Sequence, residues 1–421
     1  MSDRTRVLVT GLGVVSPIGN TVDDLWASIR NGTSGIGTIT RFAPSRVDAK
    51  IAGEVKGFDI TEYVDAKEAK RMALFTQYAV AAAKQAWKDA GLEGGGVNPE
   101  RVAVMIGNGI GGKEIDDEAY KTLFERGPGR LSPMVIPKLI ANEAAGNVSI
   151  LLNAKGPSHT VVTACASGTD ALGTALDMIR AGRADVVIVG GTEATVTEYC
   201  IGGFCAMKAL STKRNDTPEK ACRPFDADRD GFIMGEGAAI LIIESEAHAK
   251  ARNARAYVEF AGYGASSDAY HLTAPDPEAS GAIRAIQMAL KDAGAKPEDV
   301  DYINAHGTST PLNDPMETKA VKAVFGGHAY KLKMSSTKSM TGHLLGAAGA
   351  LEAIICTLAI TNGFYPPTIN HETPDPACDL DIVPNKGVQA PMRMAISTSL
   401  GFGGHNSVVV FKALGETAPN L

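Results

Sequence analysis

The predicted order of strands and helices in this chain repeats after about residue 255, and this repeat limits the folds open to it. Each half starts with an apolar strand, continues with a long helix and returns to a strand, at 6–10, 66–90 and 101–106 and again at 257–264, 279–293 and 300–304. Each series ends in further strand–helix pairs. The repeat predicts two similar βαβ-type halves that face each other, with crossover helices covering both sheets.

Composition supports this α/β fold class. The chain has 421 residues, of which 44% are hydrophobic and 46 are glycine, so it can bury a large core with close helix–strand contacts. We place the boundary between an N-terminal half, 1–255, and a C-terminal half, 256–421. Gly11 and Gly13 follow the first strand, and we interpret them as part of a loop in which glycine permits close packing.

Charge and cysteine usage exclude several classes of function. A net charge of −6 argues against nucleic acid as a partner. No run of 18 apolar residues occurs, so no membrane-spanning helix is expected. The start, Met1 to Arg6, runs directly into a strand and does not resemble a signal peptide. The six cysteines lack metal-binding spacing, which predicts free thiols in a reducing, cytoplasmic setting.

One acidic stretch, Asp226 to Gly231, resembles the first six positions of a calcium-binding EF-hand loop. The twelfth position is Gly237, the acid Glu236 comes one residue early, and a predicted strand follows instead of a helix. The motif needs the final acid and two flanking helices. We therefore interpret the stretch as a charged turn and predict no metal site.

Cys165 lies between a β-favouring run, Val161 to Thr163, and a predicted helix at 169–179. A thiol on a turn from a buried strand into a helix N-terminus loses its proton easily, because free N–H groups and the helix dipole favour the thiolate. The small residues around it would let a substrate approach. This segment alone fits a nucleophile and a buried structural cysteine about equally well.

The C-terminal half supplies candidate partners for that thiol. His306 lies at the end of a predicted strand, and Lys338 and His343 occupy the position that the repeat makes equivalent to Cys165. The glycine-rich turn Gly401 to Asn406 has backbone N–H groups free to face a substrate oxygen. In two facing halves these strand ends meet in one cleft. A single histidine is more often structural, but two in this setting favour catalysis.

Four ordered motifs make the chain resemble a known family. They are Thr163–Gly168, Asn304–Thr310, Ser336–His343 and Gly401–Gly404. Together they are similar to the β-ketoacyl-acyl-carrier-protein synthases, in particular those that elongate bacterial fatty acids, over essentially the whole chain. The resemblance implies a thiolase-like duplicated fold with a layered α-β-α-β-α core, a homodimer and a Cys-His-His site.

The resemblance also implies a reaction, the decarboxylative condensation of malonyl-acyl carrier protein with an acyl chain held on Cys165, which lengthens a fatty acid by two carbons. The N–H groups of Cys165 and Phe402 would hold the oxyanion, and His306 and His343 would stabilise the enolate. Lys338 would support both histidines, with Glu352 as its partner. No cofactor is expected, because the substrate carries its own phosphopantetheine and loss of carbon dioxide drives the reaction.

By the same resemblance, a further set of positions would contact substrate or carrier. Those expected at the pantetheine arm, the acyl pocket and the gate loop are Thr308, Thr310, Ile110, Asp268 and His271, although Ile110 also fits a residue that only anchors its loop. Those expected to dock the acidic acyl carrier protein are Lys67, Lys70, Arg71, Arg130 and Lys208. A charge cluster of this kind is also compatible with an ordinary solvated surface.

Four alternatives share parts of this pattern. A degradative thiolase would need a second cysteine near the C-terminal glycine turn, which holds none. Chalcone-type and initiating synthases have asparagine where this chain has His343. A non-enzymatic partner subunit would lack Cys165. The ketosynthase subunit of a type II polyketide pathway shares all four motifs and stays open as the alternative.

Overall fold

The computed structural model describes residues 4–415, so the first half of the chain start at which no signal peptide was predicted, residues 1–3, lies outside it. The strands are β1 (Val7–Val15), β2 (Gly37–Thr38), β3 (Ile51–Ala52), β4 (Val102–Gly107), β5 (Ser158–Val161), β6 (Val186–Glu193), β7 (Gly237–Ser245), β8 (Val258–Ser267), β9 (Tyr302–Asn304), β10 (Lys333–Ser335), β11 (Phe364–Tyr365), β12 (Val388–Gln389), β13 (Met394–Gly401) and β14 (His405–Lys412).

The α-helices of the described residues are α1 (Val22–Asn31), α2 (Ala66–Ala69), α3 (Leu74–Asp89), α4 (Lys113–Arg126), α5 (Val135–Leu139), α6 (Glu143–Leu151), α7 (Ser167–Arg180), α8 (Glu198–Ala206), α9 (Glu246–Ala251), α10 (Ser280–Asp292), α11 (Asn313–Phe325), α12 (Lys338–Thr341) and α13 (Ala348–Asn362).

The two halves have the same sheet topology. The N-terminal half has the strand order β5-β4-β6-β7-β1 and the C-terminal half β10-β9-β13-β14-β8. In each half the first three strands of that order are parallel and the last two are antiparallel to their neighbours. A short antiparallel pairing between β1 and β8 joins the halves. The predicted duplication is therefore confirmed strand by strand.

Helices and sheets form the predicted α-β-α-β-α layers. Helix α3 packs on β1 and β7, α10 packs on β8 and β14, and α7 and α13 lie between the two halves of the ten-stranded sheet and contact strands of both. The central helices come very close where Gly168 faces the start of α13. A Cβ at Gly168 would lie 2.9 Å from the Gly346 carbonyl oxygen and 3.0 Å from the Ala350 nitrogen. The ends of both central helices thus meet in the middle of the molecule.

Two sequence-based expectations were wrong in detail. The helix predicted at 66–90 is divided, because α2 ends after one turn and α3 begins at Leu74. Gly11 and Gly13 lie inside β1, which continues to Val15 because it pairs with β7 along most of its length. Their role in close packing is nevertheless real, since a Cβ at Gly13 would lie 2.0 Å from the Ala82 carbonyl oxygen of α3.

The segment Leu345–Asn362, which includes α13, is the one helical stretch of the described residues long and apolar enough to cross a membrane. It is almost entirely buried inside the protein, where α13 packs against strands of both halves of the sheet. Such burial is what the core helix of a layered α/β fold requires. The length and apolar composition of this segment therefore follow from its place in the central helical layer of the fold.

The strand before Cys165 differs from the expected buried strand. β5 ends at Val161, pairs only with β4, and lies at the edge of its sheet. Ser158 and His159 are exposed, and the next residue after the strand, Val162, is 58% exposed. An edge with free backbone groups and exposed apolar side chains is unusual unless another chain covers it.

Candidate active site

Cys165 lies on a tight turn between β5 and α7. The turn is one 3₁₀ unit, Ala164 to Ala166, and Ala164 has a left-handed φ of 51°, which is uncommon for a residue other than glycine. The Ser167 hydroxyl stabilises this geometry. It accepts a hydrogen bond from the Thr163 N–H at 2.9 Å and donates one to the Ala164 carbonyl at 2.7 Å. The fold thereby presents the thiol at the start of a central helix.

The thiol does not have the lowered pKa that its position at a helix N-terminus predicts. Burial raises the pKa of Cys165 to about 12, which outweighs the opposing effects of the Lys338 ammonium and of the Phe402 N–H group. Glu193 adds to the rise through its negative charge. The expected lowering of the pKa is absent because burial destabilises the thiolate more than the N–H groups and dipole of one helix end stabilise it. Cys165 is therefore a thiol in the resting protein.

Two histidines from the other half lie side by side. His306 follows β9, His343 follows α12, and their ring centroids are 5.2 Å apart with the planes at 88°. Burial, aided by the charge of Lys338, holds the pKa of both imidazoles well below the usual range. Both rings are thus neutral at physiological pH. Nδ1 of His306 and both ring nitrogens of His343 have no hydrogen-bond partner within the described residues, so they are free to face a substrate.

Lys338 is a fully buried ammonium paired with Glu352. Its Nζ donates a short hydrogen bond to Oε1 of Glu352, which lies on α13. Burial raises the pKa of Glu352 to about 7, and Lys338 counters part of that rise. The positive charge of Lys338 lowers the pKa of Cys165 and of both histidines. It is therefore the electrostatic centre of the cluster.

The glycine turn between β13 and β14 reaches the Cys165 backbone. A Cβ at Gly401 would lie 2.8 Å from the Thr163 carbonyl oxygen and 3.3 Å from the Cys165 nitrogen, so only glycine permits this approach. The N–H groups of Phe402 and of Cys165 itself both act on the Cys165 sulfur. Two N–H donors beside the reacting sulfur are the kind of group that can stabilise an oxyanion formed there.

One cavity of about 510 Å³ collects these groups. Cys165, His306, His343 and Phe402 all line it, although they come from both halves and from four separate segments. The rest of its wall is largely apolar, with the large side chains Ile110, Phe204, Phe232, Met316 and Leu345. A thiol, two neutral imidazoles and two N–H donors in an apolar cavity can hold and transfer an acyl chain.

Comparison with known proteins agrees with this geometry. Residues 4–249 match the model of the β-ketoacyl synthase N-terminal domain, and residues 257–372 match that of the C-terminal domain. The chain belongs to the β-ketoacyl synthase family. A 3-oxoacyl-[acyl-carrier-protein] synthase 2 of Staphylococcus aureus is 53% identical over 412 residues, which cover 98% of this chain and 99% of that protein. One of Synechocystis is 52% identical over 410 residues, covering 97% and 98%.

Solved structures give the same fold. A β-ketoacyl synthase of Burkholderia phymatum has a TM-score of 0.90 at 33% identity, covering 97% of this chain and all of that one. A chain of the complex between a type II polyketide synthase acyl-carrier protein and its ketosynthase, bound to the hexaketide, has a TM-score of 0.91 at 37% identity and covers 98% of this chain and all of that one. The duplicated thiolase-like fold of this β-ketoacyl synthase is thus shown.

The residues predicted at the pantetheine arm and acyl pocket mostly line the cavity. Thr308 and Thr310 do so with hydroxyl oxygens 3.0 Å apart, and Ile110 and Asp268 also do. His271 does not. It lies outside the lining, where its Nδ1 accepts hydrogen bonds from the backbone N–H groups of Thr273 at 3.1 Å and Ala274 at 3.0 Å. Its imidazole is used to shape the loop, which explains why it does not reach the substrate space.

The predicted docking residues are all exposed cations at the surface. Lys208 lies at the rim of the cavity, and the other four lie outside its lining. Arg71 is partly used in an ion pair with Glu68 at 3.2 Å. The set comes from three places in the fold, after α8, after α4 and around α2, at Lys208, Arg130, Lys67, Lys70 and Arg71.

Sequence reasoning missed two buried carboxylates near the site. Glu317 on α11 accepts hydrogen bonds from the backbone N–H groups of His306 at 2.7 Å and Gly307 at 2.8 Å, and so fixes the loop that carries the catalytic candidate. Glu193 ends β6 and holds two other segments, as described below. A charged residue that ends an otherwise apolar strand is a signal that could have identified Glu193 in advance.

The raised pKa of Cys165 leads to a testable prediction. Iodoacetamide alkylates the thiolate, so the labelling rate at Cys165 should rise about tenfold for each pH unit above neutrality until the pH reaches its pKa. Peptide mapping with mass spectrometry measures this rate at each cysteine. Cys165 should also be labelled before the fully buried Cys222 and Cys356, because it opens into the cavity. A labelling rate at Cys165 that levels off below neutral pH would contradict the assigned protonation state.

Proposed function

We propose that this β-ketoacyl synthase elongates acyl chains held on acyl carrier protein. The Cys165 sulfur attacks the acyl thioester, the carrier thiol leaves with the cysteine proton, and the acyl group stays on Cys165. Malonyl carrier then loses carbon dioxide, and the resulting enolate carbon attacks the acyl carbonyl. Cys165 leaves as a thiolate that regains one proton, and the product is a 3-oxoacyl carrier two carbons longer. The single observation that carries the proposal is the convergence of Cys165, His306 and His343 in one apolar cavity.

The protonation states support this order of events. A neutral imidazole can donate one N–H, and two such donors at one thioester oxygen stabilise the enolate that decarboxylation leaves. Lys338 contributes a fixed positive charge nearby. The N–H groups of Cys165 and Phe402 stabilise the oxyanion when the acyl carbonyl is attacked. This scheme uses no cofactor of the protein's own, and within residues 4–415 no cluster of three or more His, Cys, Asp or Glu side chains is arranged to hold a metal ion.

The reaction is tested by product analysis. Protein incubated with one acyl carrier and malonyl carrier should give a 3-oxoacyl carrier that is longer by a single two-carbon unit, with one carbon dioxide released for each product. A polyketide ketosynthase is the second candidate, favoured by the structural likeness to the type II polyketide complex. It would instead give chains extended repeatedly without reduction. The higher identity to the two 3-oxoacyl-[acyl-carrier-protein] synthases favours the first outcome.

We also propose that acidic acyl carrier protein docks on the cations Lys67, Lys70, Arg71, Arg130 and Lys208, of which Lys208 lies at the rim of the cavity. Raising the ionic strength should then raise the KM for carrier-bound substrates, because salt screens exposed charges over about 10 Å at 0.1 M. Small thioesters without the carrier should be much less affected. Steady-state kinetics with both substrate types at several salt concentrations measures the difference.

A charge variant sharpens this prediction. Lys208→Ala should raise the KM for carrier substrates and reduce its dependence on salt, whereas Lys331→Ala removes an exposed lysine outside the docking set and should change neither. If the KM for carrier substrates and the KM for small thioesters depend equally on salt, the carrier does not dock on these five cations.

The exposed edge β5 supports a homodimer. Two apolar side chains beside it are unusually exposed, namely Ile150 at 80%, on the helix α6 that packs on β5, and Val162 at 58%, directly after β5. A second copy of the chain would pair with the free edge and cover these side chains. Light scattering should give about twice the chain mass of 43.9 kDa. A particle with the mass of one chain would contradict this arrangement.

A cytoplasmic location of the protein stays a prediction.

A further inference from the structure

Glu193 is a buried carboxylate that the proposed reaction does not use. It ends β6, is fully buried, and accepts hydrogen bonds from three backbone N–H groups. Its Oε2 accepts from Gly109 at 2.9 Å and from Gly346 at 3.0 Å, and its Oε1 accepts from Ile110 at 3.3 Å. Within residues 4–415 no ion pair reaches it. A charge buried without a cation is costly unless hydrogen bonds compensate, so these contacts explain why it is tolerated.

The three N–H groups belong to two parts of the site. Gly109 and Ile110 follow β4 in the N-terminal half, and Ile110 lines the cavity. Gly346 belongs to the C-terminal half and lies three residues after His343, in the segment that leads into α13. A Cβ would lie 2.6 Å from Oε2 at Gly109 and 2.8 Å from it at Gly346. The carboxylate therefore joins the two segments directly, with no room for a side chain between them.

We propose that Glu193 is a positioning residue that holds Ile110 in the wall of the acyl pocket and couples this wall to the segment that carries His343. The inference rests on the proposed condensing function. The two carboxylate oxygens of Glu193 have different hydrogen-bond partners. Oε2 makes the shorter contacts, which join the halves, and Oε1 makes the longer contacts, to Ile110 and to the Asn108 amide at 3.4 Å. Loss of the Oε1 acceptor should therefore disturb the pocket wall before it disturbs His343.

The protonation of Glu193 gives this coupling a pH dependence. Burial raises the pKa of Glu193 to about 7, and its three backbone hydrogen bonds oppose the rise. The titratable groups that its charge affects are the thiols of Cys165 and Cys200, whose pKa it helps to raise. As the pH falls through neutrality the carboxylate gains a proton, and the oxygen that carries the proton becomes a poorer hydrogen-bond acceptor. The preference of the protein for long or short acyl chains should therefore change over that pH interval.

Glu193→Gln tests the proposal. The amide oxygen can keep the two short contacts at the Oε2 position, but the amide NH₂ then faces the Ile110 N–H, which loses its acceptor. Transfer of acyl groups to Cys165 is measured by mass spectrometry over a series of acyl carriers of increasing length. The ratio of rates for long and short chains should change by about tenfold, as expected for one lost hydrogen bond to a charged acceptor. Release of carbon dioxide from malonyl carrier should be retained.

Two further measurements separate positioning from a general loss of stability. Between about pH 8 and about pH 6 the wild-type preference should change, while that of Glu193→Gln should stay constant, because the amide does not titrate in this range. At about pH 8, iodoacetamide should label Cys165 faster in the variant, because a negative charge near the sulfur is gone. The pH series on the wild-type protein tests the proposal even where the variant folds poorly.

Glu54→Gln is the matched control. Glu54 is also buried and accepts two backbone N–H groups, from Thr40 at 2.9 Å and Arg41 at 3.0 Å, but lies outside the cavity lining. It should leave the preference among acyl chains unchanged. A wild-type preference that does not vary with pH, together with an unchanged profile in Glu193→Gln, would overturn the proposal. Acyl transfer to Cys165 is detected on the protein itself and does not depend on product formation. A protein that is acylated at Cys165 but forms no extended product would therefore contradict the proposed function, and not the role proposed for Glu193.

Discussion

Replacing Cys165 by glutamine is expected to abolish condensation while carbon dioxide is still released from malonyl carrier. The variant has no sulfur to accept an acyl group, so the condensation rate should fall by at least about 10⁴-fold, in line with the loss of a catalytic nucleophile. Decarboxylation depends on the neutral imidazoles of His306 and His343, which the substitution leaves in place. The glutamine amide oxygen can occupy the position facing the Phe402 N–H and so resemble the acylated enzyme.

Labelled carbon dioxide release and product formation, measured on the same protein, check this prediction. Cys165→Ala is a useful companion, because it removes the thiol without supplying an amide oxygen and should release less carbon dioxide than Cys165→Gln. Cys205→Ala removes a half-buried thiol that has no role in the proposed reaction and should keep both activities. A Cys165→Gln variant that releases no carbon dioxide would show that the thiol itself takes part in breaking the carbon–carbon bond.

The histidine variants should show the opposite behaviour. His306→Ala and His343→Ala each remove one donor to the developing enolate oxygen, so each should slow carbon dioxide release by about 10²–10³-fold. Acyl transfer to Cys165 should persist, because the thiol and the N–H groups of Cys165 and Phe402 are unchanged. The measurement is carbon dioxide release beside mass-spectrometric detection of the acylated protein.

His328→Gln serves as the control for the loss of a histidine. His328 is half-buried and its Nε2 contacts the Val300 carbonyl oxygen at 2.9 Å, outside the cavity lining, so decarboxylation should be unaffected. Normal decarboxylation by both His306→Ala and His343→Ala would remove the enolate-stabilising role. Loss of acylation in either variant would instead assign that histidine to proton removal from the Cys165 thiol.

The larger architecture could be predicted because it depends on patterns within single segments. The strand–helix–strand repeat, read from apolar runs and Ala-rich helices, led to the two matching halves. The positions of His306 and Lys338 at strand ends then placed them opposite Cys165. These inferences need only element order. The equivalent strand orders of the two halves confirm the duplication, and Cys165 and His306 line one cavity.

The features that could not be predicted arise from tertiary contacts. β1 continues past Gly11 because β7 pairs with it, and nothing local in the glycine-rich run indicates that partner. The pKa of Cys165 was expected to be low from its helix N-terminus, yet the cavity around the sulfur dominates. Glu193 holds Gly109 and Gly346, which are far apart in the chain, so no local pattern identifies that contact.

The most direct test of the account is a single-turnover chase on the wild-type protein. Acyl carrier alone should acylate Cys165 and no other residue, as mapped by mass spectrometry. Addition of labelled malonyl carrier should then remove the acyl group from Cys165 and produce one carbon dioxide and one 3-oxoacyl carrier two carbons longer for each acyl group lost. Extended product that forms without passage through acyl-Cys165, or acylation at another residue, would contradict the account.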